Sequence, residues 1–442
     1  MLWCGIATMK TTKRIHSVFN PALLIPSLLA WTAGVLFPAA AAPLPDFAGN
    51  IITQKLRHAA GERPVLVILW DPHRSGHPAP SKAVVERLLF GARPSVADWY
   101  RENSGGKFGI RKAAVLGWYD AEKIASHYWN TKSDSDPNDS DHDGWLNGHV
   151  EKWAEAIRQA DREFDFAAYD LNHNKVLSAD ELGILIVIPQ KGPFGTNRGV
   201  AGREFPKKEP LIVDGVRIGS IAEVYTGLPP NLGVSAHELA HLFLGAPDMY
   251  MTEPWQFAPR DYSIMDHTYT TAHFDPFIKL KLGWLNHTVV TNSGSFSLKD
   301  METQREALIL YDSARGPKEY FILENRWRGS SYDAGVATAG HGIPTNGLAI
   351  WHIIEDPELF KKIELPTGGG GEWGRRGVRL IRANGGQPTS DALALFNKPG
   401  EKISGNTHPA HLRWIDNSPS RFSVELLSQP GATLQLKIVV SD

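Results

Sequence analysis

The stretch that most constrains this chain is residues 231–250, NLGVSAHELAHLFLGAPDMY. Pro229 and Pro230 precede Asn231, a good N-cap, and Gly245 followed by Pro247 ends a helix, so the spacing predicts one from 232 to 244. Leu232, Ala236, Leu239 and Phe243 give it an apolar stripe for a core. On such a helix His237 and His241 stand one turn apart on one face, able to grip a single metal ion, with Glu238 beside them. The spelling is HExxH, the pattern of a hydrolytic zinc site. Zinc makes water a stronger acid, and the Glu238 carboxylate is placed to take its proton and hand it to a leaving amine. The competing reading is a buried helix whose histidines are merely satisfied polar groups.

With 442 residues, 42% of them hydrophobic, the chain can bury a large core. A formal net charge of −2 offers nothing to nucleic acid, and none is expected as a partner. Residues 1–42 stand apart. Lys10, Lys13 and Arg14 lead into an apolar run over 22–37, then alanines at 39–42 and Pro43. This reads as a signal peptide, so the mature chain is expected outside the cytoplasm, extracellular or periplasmic. The run is short for a membrane anchor and ends in small residues, and no later stretch is suited to spanning; no membrane span is expected in the mature chain. The only cysteine, Cys4, would leave with the signal, so neither a disulfide nor a thiol acting on the metal is expected.

In chain order, residues 63–70 (RPVLVILW) read as a buried strand, and 81–90 and 96–103 as helices. Residues 133–181 form a calcium-loop region. Asp139, Asp141 and Asp143 alternate ahead of Gly144 like the first half of a calcium loop, although Val150 stands where a bidentate Glu belongs. A helix is expected from 148 to about 163. DLNHNKVLSADE (170–181) is the fuller case, with Asp170, Asn172 and Asn174 at positions 1, 3 and 5, the Val176 carbonyl at 7, Ser178 at 9 and Glu181 at 12. Lys175 occupies the position that prefers Gly, so a left-handed or strained backbone is expected there. Strands follow at 182–189 and within 210–224. Residues 261–284 carry a tight SIMD turn and an expected amphipathic helix ending in LGW. From 295 onward SFSLKD, EALILYD, GVRLIRA, FSVELL and ATLQLKIVV read as strands.

HExxH, the nearby GxPD-Tyr, SIMD and LGW, in that order, resemble the immune inhibitor A family of secreted bacterial metallopeptidases. SVADWYRENSGGKFGI (95–110), the calcium-type loop before the active helix, EYFILENRW and NGLAIWHI are similar to pieces of that family too. The resemblance implies a zincin or metzincin-like fold in which Met265 forms a methionine turn beneath the metal. It also implies Asp248 as third zinc ligand in the GxPD context. LFL stands where two residues are expected, one too many between His241 and Gly245, so His267 and His273 remain alternative ligands. Tyr262, His267 and Tyr269 are candidates to steady the oxyanion, His267 falling where metzincins often place Tyr.

The expected architecture is α+β: a signal peptide (1–42), a zincin-like catalytic domain (43–290) with an inserted EF-hand-like calcium loop, and a β-rich C-terminal region (291–442). The expected function is that of a secreted zinc endopeptidase acting on proteins or peptides, with Zn2+ and Ca2+ as cofactors and Glu238 as general base. The alternative is a calcium-dependent secreted binding protein on an inactive zincin scaffold, which the intact Glu238 argues against.

Overall fold

Residues 61–71 set the layers. The computed structural model describes residues 44–49, 56, 59–72, 79–129, 144–189, 199–205, 210–226, 231–250, 257–329, 332–336, 340–356, 377–385, 390–407 and 411–441. Strand β1 (Gly61–Asp71) is followed by α1 (Lys82–Phe90), α2 (Val96–Ser104), β2 (Phe108–Asp120), α3 (Ala125–Trp129) and α4 (Gly144–Ala160). Then come β3 (Val176–Leu177), β4 (Gly183–Ile188), β5 (Gly199–Glu204), β6 (Ile212–Val213), β7 (Val216–Ile218), β8 (Ser220–Tyr225) and α5 (Leu232–Leu244). The first sheet has the order β2-β1-β4-β8-β5, parallel throughout except for β5, which runs antiparallel to β8 at one edge.

Residues 65–70 of β1 are fully buried, as a strand covered on both faces requires. Because side chains alternate, the strand feeds two cores. Val65, Val67 and Leu69 join Leu185 and Val187 of β4 in a core shared with α1, α2 and α5. Leu66, Ile68 and Trp70 join Ile184, Ile186 and Ile188 in a core shared with α4. Helix α4 is also tied to the sheet by charge. Lys152 Nζ lies 2.7 Å from the Glu223 carboxylate, to which Trp153 Nε1 donates at 2.7 Å, all three side chains being buried.

The second half adds α6 (Pro276–Lys281), β9 (Asn286–Val290), β10 (Gly294–Lys299), β11 (Glu306–Leu310), β12 (Glu319–Arg326), β13 (Gly335–Val336) and β14 (Gly340–His341). β15 (Gly347–Ile354), β16 (Val378–Ile381), β17 (Lys402–Ser404), β18 (Phe422–Leu426) and β19 (Thr433–Val440) complete the described chain. A five-stranded sheet, β16-β15-β12-β11-β9, faces a four-stranded antiparallel sheet, β10-β19-β18-β17. β12 is buried along its whole length. Tyr320 and Ile322 face the core that holds α5, while Phe321 and Leu323 face the four-stranded sheet. Few helices and many strands make this an α+β chain, and residues Leu44–Asp442 cluster as one compact unit, with a core running across position 290.

One expectation is corrected. The helix before LGW is not amphipathic: α6 has six residues and every one is buried. Lys279 donates to the Met301 carbonyl at 3.2 Å and approaches His273 Nδ1 at 2.9 Å, and Lys281 pairs with Glu355 at 2.7 Å. Their partners come from distant segments, so periodicity along the helix gives no sign of them. The signal-peptide residues 1–42 and Asp139, Asp141 and Asp143 lie outside the described residues. No described helix is long and apolar enough to cross a membrane.

Candidate metal centre

Helix α5 is built to hold still. Asn231 Oδ1 accepts from the Gly233 N–H at 2.7 Å, capping the first turn. A Cβ at Gly233 would fall 2.3 Å from the Thr268 carbonyl oxygen and 2.5 Å from that of Thr270, so only glycine lets the helix start lie against that segment. At the other end Gly245 takes φ 63, and its N–H and that of Ala246 satisfy the carbonyls of His241 and Ala240. The chain then doubles back, and the Met249 N–H donates to the Met265 carbonyl at 2.8 Å. That bond fixes the residue just before it, Asp248.

The helix runs to Leu244, and Asp248 reaches the histidines beyond it. His237 Nε2 and His241 Nε2 are 3.0 Å apart, and Asp248 Oδ1 lies 3.2 Å from each. Nδ1 of His237 faces the Ile264 carbonyl at 2.9 Å, and Nδ1 of His241 faces the Ala246 carbonyl at 2.6 Å. A nitrogen facing a carbonyl carries the proton, which leaves both Nε2 atoms as bare lone pairs. Two such nitrogens and a carboxylate oxygen then converge with no proton among them, an arrangement that repels unless a cation lies between. A tetrahedral zinc with bonds of about 2.0–2.1 Å places its ligand atoms about 3.3 Å apart, close to this triangle.

Glu238 is buried, and one of its oxygens lies within 4.8 Å of the histidine donor atoms. Met265 is fully buried in the turn whose Ile264 carbonyl holds His237. The other candidates are drawn elsewhere. Tyr262 is buried and donates its hydroxyl to the Asp391 carbonyl at 2.8 Å. His267 pairs through Nδ1 with Asp261, and Tyr269, largely exposed, sets its ring 5.4 Å from the His267 ring. His273 is fully buried between Lys279 and Glu302, 3.4 Å from the latter, and its pKa falls to about 3 through burial and the Lys279 charge. Among the described residues, His267 and His273 each belong to a group separate from that of His237 and His241. The backbone carbonyls of Ala246 and Ile264 had no signal in the sequence, since a carbonyl belongs to every residue alike. Asp261 and His341, which gather around His267, were also missed.

The loop 170–181 closes on its own oxygens. Asp170 Oδ1 and Oδ2 accept from the N–H groups of Asn174 and Lys175 at 3.1 and 2.9 Å. Asn172 Oδ1 accepts from Asn174 at 3.0 Å and Asn174 Oδ1 from Val176 at 2.8 Å. Glu181 folds back, taking the Ser178 N–H and hydroxyl at 3.1 and 2.7 Å and the Asn172 N–H at 3.4 Å. Lys175 adopts φ 61, the left-handed backbone expected of it. Strand β4, not a second helix, follows Glu181.

Searches against protein-family models and against curated proteins gave no match to this chain.

Proposed function

We propose that this chain is a secreted zinc-dependent endopeptidase of the immune inhibitor A type, on a zincin-like fold, that hydrolyses peptide bonds in proteins. The observation that carries this reading is the convergence of His237 Nε2, His241 Nε2 and Asp248 Oδ1 with Glu238 beside them. His237, His241 and Asp248 would hold the ion. Zinc bound there supplies a Lewis acid that polarises a carbonyl and brings the pKa of water near 7. Ile264 and Ala246 orient the two imidazoles, and Asp248 neutralises part of the cation's charge. Glu238 takes a proton from the attacking water as its oxygen bonds to the scissile carbon. It gives that proton to the amine nitrogen as the C–N bond breaks. With the Tyr262 hydroxyl engaged by Asp391 and His267 by Asp261, Tyr269 is the remaining candidate to steady the oxyanion.

We read the loop 170–181 as an EF-hand-like calcium site. Asp170, Asn172, Asn174, the Val176 carbonyl, Ser178 and Glu181 supply oxygen donors in the order such a loop uses. A calcium ion there would brace the approach to β4.

Casein hydrolysis by the purified chain, with and without a zinc chelator, tests the assignment. Glu238→Ala is expected to retain its zinc while losing 10²-fold or more in rate, on the order of what a positioned acid-base group contributes. A wild-type activity indifferent to the chelator, or a Glu238→Ala chain of undiminished rate, rules the mechanism out. A folded, calcium-binding chain with no hydrolysis of any protein would favour the binding-protein reading instead.

A further inference from the structure

Beyond the methionine turn a second group of donors converges on one point. Asp261 Oδ1 contacts His267 Nδ1 and lies 3.2 Å from His341 Nε2, and one ligand atom from each of the three residues falls within 4.8 Å of the others. The three come from separate stretches of chain. Asp261 sits in the short 3-10 turn Arg260–Tyr262, anchored by the buried Tyr262. His267 is held at the end of the next turn, its N–H donating to the Ser263 carbonyl at 3.2 Å. His341 belongs to β14, whose backbone pairs with the strap beside α5: its N–H donates to the Tyr269 carbonyl at 3.2 Å, and its carbonyl accepts from Thr271 at 2.8 Å. Gly340 makes that approach possible, since a Cβ there would fall 2.8 Å from the Tyr269 carbonyl oxygen and its φ of 151 disfavours a side chain.

We propose that Asp261, His267 and His341 form a second, exchangeable site for a divalent first-row transition cation such as zinc. Two imidazoles and one carboxylate are a donor set that suits zinc, copper or nickel, and the majority of nitrogen ligands disfavours calcium and magnesium. The side chains of Asp261 and His267 are 16% and 30% exposed and that of His341 is 49% exposed, so the site opens to solvent on the His341 side and leaves room for water as a further ligand. Backbone hydrogen bonds have already fixed the carriers, so little ordering remains to oppose binding. A cation here would clip β14 to the segment that follows the turn bearing Ile264, the carbonyl partner of His237. The site shares no ligand with the His237 group and does not depend on the function proposed above.

The test is zinc uptake by the purified full chain in equilibrium dialysis, read by elemental analysis, with cobalt(II) titration read by visible absorption as a second probe. His341→Ala and His267→Ala should each bind one fewer equivalent of zinc than the wild type, and the lost equivalent should be the one a mild chelator removes first. His341 is half exposed, so the melting temperature of metal-free His341→Ala should match that of the metal-free wild type. The difference between wild type and variant reads this site alone: two against one if the His237 group also holds zinc, one against none if it does not. Equal stoichiometry and equal affinity in the wild type and both variants would overturn the proposal and leave Asp261 as a hydrogen-bonding bridge between two imidazoles.

Discussion

His241 and Ala246 are joined by a hydrogen bond of 2.6 Å from an imidazole nitrogen to a carbonyl that lies past the end of the helix carrying the histidine. The helix must therefore stop where it does for its own imidazole to be oriented. Gly245, in the left-handed conformation, supplies the stop, and the reversal it produces also returns Asp248 to the two Nε2 atoms.

Asp248→Ala should lose tightly bound zinc, with affinity falling by more than the 10–100-fold typical of removing an outer partner. His273→Ala should keep its zinc while losing about 1–3 kcal/mol of stability, because buried Lys279 and Glu302 each lose the imidazole as a polar partner. Elemental analysis after dialysis against a weak chelator, together with urea unfolding, separates the two. Full retention of zinc by Asp248→Ala would remove it from the ligand set.

Calcium should raise the melting temperature, because Asp170 and Glu181 are both largely buried and acidic in one loop, and a cation bound only by the folded chain adds its binding free energy to stability. At a calcium concentration a hundredfold above the dissociation constant the gain is about 2.7 kcal/mol. Magnesium should do much less. Melts that coincide in calcium and in a calcium-selective chelator, or a calcium response unchanged in the double variant Asp170→Ala, Glu181→Ala, would refute the loop assignment.

Lys152→Met should cost about 3–5 kcal/mol, since it leaves the fully buried Glu223 carboxylate without its cation. Burial already lowers the Lys152 pKa from its ordinary value against the opposing charge of Glu223, a sign of how strongly this place disfavours an unpaired charge. The double variant Lys152→Met, Glu223→Gln should recover most of the loss. Denaturant midpoints of the four proteins close the cycle, and a single variant as stable as the wild type would show that the pair does not brace α4.

His411 packs its ring edge-on to Phe396 at 4.8 Å, and burial lowers its pKa from 6.5 to about 4. As pH falls below 6.5 the unfolded chain takes up this proton while the folded chain does not, so the stability that the neutral ring contributes is complete above 6.5 and is lost as pH approaches 4. His411→Leu lacks this loss. Urea midpoints of wild type minus variant, compared above pH 6.5 and near pH 4, should shift against the wild type at the acid end; a constant difference would contradict the assignment.

Much of the local structure was legible in the residues themselves. Asn231 and Gly245 mark both ends of α5, and the run from Val65 to Trp70 announces a strand covered on two faces. Legibility ended where a side chain's partner lies far along the chain. The helix before LGW read as amphipathic, because Met301 and Glu355, which receive Lys279 and Lys281, belong to other segments. His341 carried no sign of its role, since nothing local ties it to Asp261. The approach of Asp248 to both histidines was not legible either, because it depends on how the chain reverses after Gly245.

β12 is a wall with a room on each side. Tyr320 and Ile322 close the core that supports the histidine helix, and Phe321 and Leu323 close the core of the β-rich half. A chain shortened to its first 290 residues would carry the whole HExxH helix and the turn that follows it, yet the core that holds Met265, Phe277 and Ile278 would lose Tyr320 and Ile322. The half that carries the histidine helix is therefore not a detachable cassette, and grafting or expressing it alone would call for a substitute wall before any question of activity arose.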